Sequence, residues 1–206
     1  MTTVLLHDLG DVGGGAAWRA VAPDEWVVPD LPGHGASPAP RTGHYDPMAA
    51  VAYARWAIGN DADARLIGIR GNAHSALVHA AGGDCGGGVV VVDGLWGPWR
   101  PPVEDIDELY ATLRAIVSDP AAHGPVPASG RDPRTTYGYG VMSSARFAQR
   151  FWGVIDQPIL AIETPASTTP PGEREERLSW FAGPTTLTVL PDGSPAAAVE
   201  AITSWR

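Results

Sequence analysis

The sequence predicts an α/β domain, a mostly parallel sheet of about six strands flanked by helices. Two observations carry this. Short runs rich in Val, Ile and Leu alternate with longer segments whose apolar residues recur every three or four positions, as strands joined by covering helices require. The run Val89-Val90-Val91-Val92 shows no polar alternation at all, which is the mark of a strand buried on both faces.

Taken in order, strands are expected at residues 4–7, 26–28, 66–69, 89–93, 159–162 and 187–190. Helices fill the gaps at 14–22, 47–58, 72–81, 103–117, 142–152, 172–181 and 196–205, each with apolar residues on one stripe. The exception is 119–140, rich in Pro, Gly, Ser, Thr and Tyr and too long for an ordinary connection between a helix and a strand. With the helix before it, this stretch is expected to belong to a reduced cap, 95–152, lying over the carboxyl ends of the strands where open α/β sheets bind ligands. No internal repeat interrupts the pattern, and residues 1–206 read as one domain.

Composition narrows the function. A chain of 206 residues that is 44% hydrophobic has enough apolar material for one sizeable core. No apolar run reaches the roughly eighteen residues of a membrane span, and Met1-Thr2-Thr3 leads into the first strand without a signal segment. A cytoplasmic location is expected, with no membrane partner. The net charge of −9, with arginine supplying all 14 basic residues and no basic run among them, argues against nucleic acid. The absence of lysine removes Schiff-base chemistry on that residue. A lone cysteine, Cys85, sits in the glycine-rich 82–88 and reads as a loop thiol; it excludes an internal disulfide and a multi-cysteine zinc site. His74 and His79 are five apart on one predicted helix, the wrong spacing for a shared metal face. Neither a metal nor a cofactor is expected.

Two motifs go further. Val4-Leu5-Leu6-His7-Asp8-Leu9-Gly10 leads into a glycine cluster and Trp18, and Asp30-Leu31-Pro32-Gly33-His34-Gly35-Ala36-Ser37 follows the second strand. The first resembles the strand and oxyanion loop that open α/β-hydrolases. The second matches their Asp-Leu-Pro-Gly-His-Gly-x-Ser loop at every fixed position. Gln157-Pro158-Ile159-Leu160-Ala161-Ile162 and Thr188-Val189-Leu190-Pro191 look like the strands preceding that family's catalytic acid and histidine. The resemblance covers essentially the whole chain and implies the α/β-hydrolase fold with an unusually small cap.

It also implies a missing triad. The family's nucleophile sits in Gly-x-Ser-x-Gly on a strained strand-to-helix turn. The matching segment here is Gly68-Ile69-Arg70-Gly71-Asn72, with Arg70 in the nucleophile's place, and a guanidinium stays protonated and cannot attack a carbonyl. Ala166 falls near the expected acid, with Glu163 the nearby carboxylate. Asp192-Gly193-Ser194-Pro195 occupies the histidine's loop, and no histidine follows His123. Asp8 stands where the oxyanion loop usually has glycine, adding negative charge where an oxyanion needs donors. In lacking the Ser/Asp/His triad the chain resembles degenerate members such as the epimerase of bottromycin biosynthesis.

Asp8, Arg70 and Glu163 are the candidate catalytic residues. Leu9, Gly71, Trp96, Trp99, Tyr137 and Tyr139 are the candidate substrate-binding residues, the aromatic four walling a pocket beneath the cap or packing within it. Arg70 reads either as an anchor for a substrate carboxylate or phosphate or as the ion-pair partner of Asp8; a paired arginine retains spare donors, so the readings are compatible. Asp93 ends the fourth strand and reads first as structural. His7 and His34 are expected to hydrogen-bond backbone in turns, and Ser75 to be a helix residue.

The resulting expectation is a non-hydrolytic enzyme, an epimerase or isomerase, a lyase or a cyclase, acting without cofactor on a small metabolite or peptide-like substrate in bacterial natural-product biosynthesis. Arg70 would hold the substrate, with Asp8 or Glu163 as base. The alternative is an inactive pseudo-hydrolase that binds a small molecule or a partner. A hydrolase with relocated residues ranks last, since Cys85 has no evident partner.

Overall fold

The computed structural model describes residues 1–8, 11, 13–38, 47–83, 85–95, 111 and 152–205. Within them the strands are β1 (Thr3–Leu6), β2 (Trp26–Val27), β3 (Arg65–Ile69), β4 (Val89–Val92), β5 (Ile159–Glu163) and β6 (Thr185–Val189). They form one parallel sheet in the order β2-β1-β3-β4-β5-β6, as the apolar runs predict. The chain winds outward from β1 to β2, then returns to place β3 on the other side of β1 and continues outward to β6. That reversal leaves a crevice outside the carboxyl ends of β1 and β3, where loops diverge to opposite sides of the sheet.

Five helices cover the sheet among the described residues: α1 (Ala16–Arg19), α2 (Pro47–Ile58), α3 (Gly71–Ala80), α4 (Arg174–Leu178) and α5 (Pro195–Ser204). The period of two sorts each strand between two cores. Val4, Leu6, Leu66, Val89, Val91, Ile159 and Ala161 pack under α2 and α3. Leu5, Ile67, Ile69, Val90, Val92, Leu160 and Ile162 pack against Trp18 of α1 and Ala198, Val199 and Ile202 of α5. Because β1, β3, β4 and β5 are covered on both faces, their sequences carry no polar alternation.

The register sets Leu6, Gly68, Val91, Ala161 and Leu187 in one row across the sheet. Gly68 has to be glycine: a Cβ there would lie 2.6 Å from the Cα of Ala73 and against the carbonyl oxygen of Asn72. The first turn of α3 therefore lies directly on β3, and this close approach fixes the turn between them.

Some boundaries differ from those predicted. The helix expected at 14–22 is only Ala16–Arg19, because Gly14 and Gly15 take φ of 61° and 73°, outside the helical region. The helix expected at 172–181 divides into a 3-10 turn (Pro171–Glu173) and α4. β6 starts two residues before the predicted strand, at Thr185, since an edge strand carries polar β-branched residues that an apolar run misses. Cys85 is not a loop thiol in the exposed sense. It is buried in the α2–α3 core, drawn inward because the amides of Gly86 and Gly87 bond the carbonyls of Ala62 and Ala64 and lay the loop flat on the chain before β3. The predicted cap 95–152, with its helices at 103–117 and 142–152 and the loop 119–140, falls outside the described residues apart from Leu95, Ala111 and Trp152. No helix among the described residues is long and apolar enough to cross a membrane.

Candidate functional site

The turn from β3 to α3 is made by Arg70, a non-glycine residue at φ 45° and ψ −111°. Two backbone bonds hold it there: its amide donates to the Val92 carbonyl at 2.8 Å, and its own carbonyl accepts the Ala73 amide at 2.9 Å to begin the helix. A conformation this unfavourable for a side-chain-bearing residue persists only where the surroundings over-determine it. Its effect is to project the guanidinium from the carboxyl edge of the sheet, 44% exposed.

Asp8 is brought alongside by the end of β1. The His7 carbonyl accepts a 2.6 Å bond from Asn72 Nδ2, and Ser75 Oγ donates to Asn72 Oδ1 at 3.1 Å, so α3 grips β1 through buried side chains. The His7 ring adds a second clamp. Its Nε2 accepts the Leu31 amide at 3.3 Å, so its Nδ1 carries the proton and donates to the Asp8 carbonyl at 2.9 Å. Burial lowers the His7 pKa below the ordinary imidazole value, against the bond to Asp8. His34 meets His7 edge-on, ring centroids 4.9 Å apart, and donates from Nδ1 to the Pro32 carbonyl. Both histidines thus serve backbone turns, as expected.

The matched loop after β2 is built around Asp30. Its carboxylate accepts the Ala36 amide at 2.9 Å and pairs with Arg19 at 2.7 Å. Burial works to raise its pKa, yet these partners hold it below the usual carboxylate range. Gly35, at φ 53°, lies so close over this carboxylate that a Cβ would fall 2.5 Å from it.

Asp8 Oδ1 faces the Gly71 amide at 3.4 Å, and Oδ2 lies 3.9 Å from Arg70 Nη1. On the other side of Arg70, Nε is 3.9 Å from Asp93 Oδ2. Asp93, at φ 51° and 7% exposed, is fixed by Thr164, whose amide and hydroxyl donate to its two oxygens at 2.7 and 2.8 Å. Separations of 3.9 Å are ion pairs without hydrogen bonds, so the guanidinium is steered by both carboxylates and bonded to neither.

These groups line a cleft of about 190 Å³ at the carboxyl ends of the strands. Asp8 comes from β1, Arg70 from β3, Asp93 from β4, Thr164 and Ala166 from β5, and the Gly193-Ser194-Pro195 turn from β6; Trp18 closes the side. Ser194 is already committed as the N-cap of α5, accepting the Ala197 amide.

Asp8, Arg70 and Gly71 are therefore brought together. Glu163 is not with them. It shares the parity of Ile159 and Ala161, whose side chains face α2 and α3, whereas the cleft opens on the side of Trp18 and Ala198. Its fully buried carboxylate accepts the Ser167 hydroxyl and lies 3.5 Å from Arg174 Nε. Burial raises its pKa, opposed by Ser167 and Arg174. As a base for a ligand on Arg70 it is misplaced. Leu9, Trp96, Trp99, Tyr137 and Tyr139 fall outside the described residues. Sequence reasoning missed Thr164 and Trp18 as cleft residues. It treated Asp93 as structural, whereas Asp93 both orders the β5 turn and faces Arg70. Among the described residues, no group of three or more His, Cys, Asp or Glu is placed to hold a metal ion.

The sequence matches no protein-family model and no curated protein at significance. Solved structures do match. An alpha/beta hydrolase from Sphaerobacter thermophilus is 17% identical, with a TM-score of 0.71 over 98% of this chain and 91% of its own. A thermophilic esterase from Thermogutta terrifontis is 18% identical, with a TM-score of 0.72 over 100% of this chain and 89% of its own. A thioesterase domain from the curacin biosynthetic pathway is 17% identical, with a TM-score of 0.70 over 98% and 89%. Likeness this even along the chain, at identities this low, speaks to architecture alone: the chain has the α/β-hydrolase fold.

Proposed function

We propose that the chain is a non-hydrolytic protein of this fold that holds a small organic acid in the Arg70 cleft, with the ligand carboxylate on the guanidinium. The observation that carries this reading is the β3–α3 turn. Where hydrolases of this fold present a nucleophile, the turn presents a permanent cation, and the next amide, that of Gly71, already faces the Asp8 carboxylate. An oxyanion developing there would meet a negative charge in place of a donor. Ala166 and the Gly193–Ser194 turn, which the sequence motifs set near the family's acid and histidine, line the same cleft, and this supports the non-hydrolytic reading. The half-exposed guanidinium, held open by two flanking carboxylates, has the planar donors that a carboxylate engages in pairs. The cleft lies below the usual range of about 300–1,000 Å³ for ligand pockets, which favours a ligand of few heavy atoms.

The Thermogutta terrifontis esterase is known with malate bound, so malate is a natural first probe beside butyrate. Calorimetric titration of each acid into the wild type and Arg70→Ala tests the proposal, with hydrolysis of p-nitrophenyl butyrate followed in parallel. Binding that weakens about tenfold or more without Arg70, and no ester turnover above background, is the expected result. Turnover, or binding indifferent to Arg70, overturns it.

A second reading, proton transfer in an isomerase, epimerase, lyase or cyclase acting on a natural-product precursor, is favoured by one observation: Asp8 lines the same cleft as Arg70 and is partly exposed to it. There Asp8 would be the base for a C–H beside the ligand's carbonyl. Deuterium entering a bound ligand from solvent, and lost in Asp8→Asn, supports this second reading; binding without exchange leaves the first.

A further inference from the structure

We infer that the outer edge of β6 docks a second copy of this chain, the two β6 strands pairing antiparallel across a two-fold axis so that the sheet continues from one copy into the other. The inference is independent of what the Arg70 cleft binds. β6 is the last strand of the sheet, and among the described residues no strand lies beyond it. The bonds to β5 show which of its backbone groups are left over. The Ile159 amide donates to the Pro184 carbonyl and the Leu190 amide to the Glu163 carbonyl, so the even-numbered residues turn their backbone groups to β5. Thr185, Leu187 and Val189 therefore turn theirs outward, since successive residues of a strand bond to opposite sides.

Native sheets guard such an edge with a charged side chain, a proline or a bulge. The run Thr185-Thr186-Leu187-Thr188-Val189 carries no charge and no proline, β-branched residues fill all but one of its positions, and Val189 is 58% exposed. Charge decides which partner fits. With 23 acidic against 14 basic residues, two copies of the chain repel each other, but residues 178–191 hold no charged side chain, and there the copies meet without like charges in contact. The register follows from the same strand. With Leu187 opposite its own copy, Thr185 lies opposite the partner's Val189, and every outward group is used in about six hydrogen bonds. Sliding the pair one way sets Pro191, which has no N–H, against Thr185. Sliding it the other way calls on Gly183, whose amide is already bonded to the Ile155 carbonyl. An interface centred on one short strand is small, so the dimer forms at a concentration of about 10–100 μM.

Sedimentation velocity of the full chain between about 5 and about 200 μM tests the inference, with circular dichroism confirming the fold of each variant. The wild type should rise with concentration toward twice the monomer mass. Thr185→Lys/Val189→Lys sets lysine against lysine at both ends of the pairing and should weaken the dimer about tenfold or more. Thr185→Glu/Val189→Lys sets glutamate against lysine at the same places and should keep it. Both positions are exposed, so neither pair of changes disturbs the core. Val189→Pro removes one outward donor without touching the ladder to β5, and should weaken the dimer as well. A wild type that stays monomeric at every concentration overturns the inference and leaves the edge to a strand of another protein. A dimer that survives both the lysine pair and Val189→Pro overturns it too, because the copies then meet elsewhere.

Discussion

Asp93 takes both donors of Thr164, the amide on Oδ1 at 2.7 Å and the hydroxyl on Oδ2 at 2.8 Å, and so ties the end of β4 to the turn after β5. Both residues are buried. Asp93→Ala strands the two Thr164 donors and also forces alanine into φ 51°, at a cost of about 2–4 kcal/mol. Asp93→Asn keeps an acceptor oxygen and a residue type that tolerates positive φ, and loses roughly half as much. Urea denaturation of the two variants gives the comparison; equal losses would show that the carboxylate geometry is not what holds the turn.

Gly68 faces a similar constraint from packing. A methyl group at this position meets the backbone of Asn72 and Ala73, neither of which can rotate away. Gly68→Ala is expected to lower stability by about 1–3 kcal/mol and to disturb the Arg70 turn. The urea midpoint reads the first effect, and loss of butyrate binding reads the second.

Arg70 carries strain that glycine would relieve. At φ 45° and ψ −111° a side chain costs about 1–3 kcal/mol, whereas the ion pairs at 3.9 Å, with the guanidinium 44% exposed, return less than about 1 kcal/mol. Arg70→Gly should therefore raise the melting temperature while abolishing anion binding, and Arg70→Ala should not raise it, because alanine inherits the strain. A lower melting temperature for Arg70→Gly would mean that the ion pairs outweigh the backbone.

How much of this the sequence carries depends on what each residue touches. β1, β3, β4 and β5 are plain in the sequence because both of their faces are buried and their runs are apolar apart from Thr3, Arg65 and Glu163 at strand ends. β6 is harder to read because it lies at the edge, where threonines serve as well as leucines. Asp8 and Arg70 were legible as a pair since each ends a strand, and adjacent parallel strands bring their ends together. Glu163 also ends a strand, yet which face it turns to is decided by a one-residue phase that an apolar run on both faces does not reveal. Thr164 gave no signal, since its role comes from Asp93, 71 positions away. Trp18 is one of eight tryptophans, and only the position of α1 against α5 distinguishes it.

Acid should loosen the same region through His7. Its ring is buried and neutral, with Nε2 accepting the Leu31 amide, and burial sets its folded pKa below the ordinary value of 6.5. His74 is lowered by burial as well. The sign follows from proton counting. In the unfolded chain these imidazoles bind a proton as pH falls through about 6.5, while in the folded protein they resist until lower pH, so the unfolded state takes up more protons in between. Stability therefore declines as pH drops below about 6.5, and each such histidine contributes at most about 1.4 kcal/mol per pH unit to the slope. The charges facing His7 modulate this: His34 lowers its pKa further, while the Asp8 carbonyl, Asp11 and Asp30 raise it. Protonation turns Nε2 from acceptor to donor against the Leu31 amide, which frees the loop after β2 and loosens the clamp on Asp8. His7→Gln offers an uncharged side chain in its place, and urea denaturation between pH 5 and pH 8 should show a shallower acid slope for this variant than for the wild type. Parallel slopes would place the acid sensitivity elsewhere, with His74 the first residue to replace.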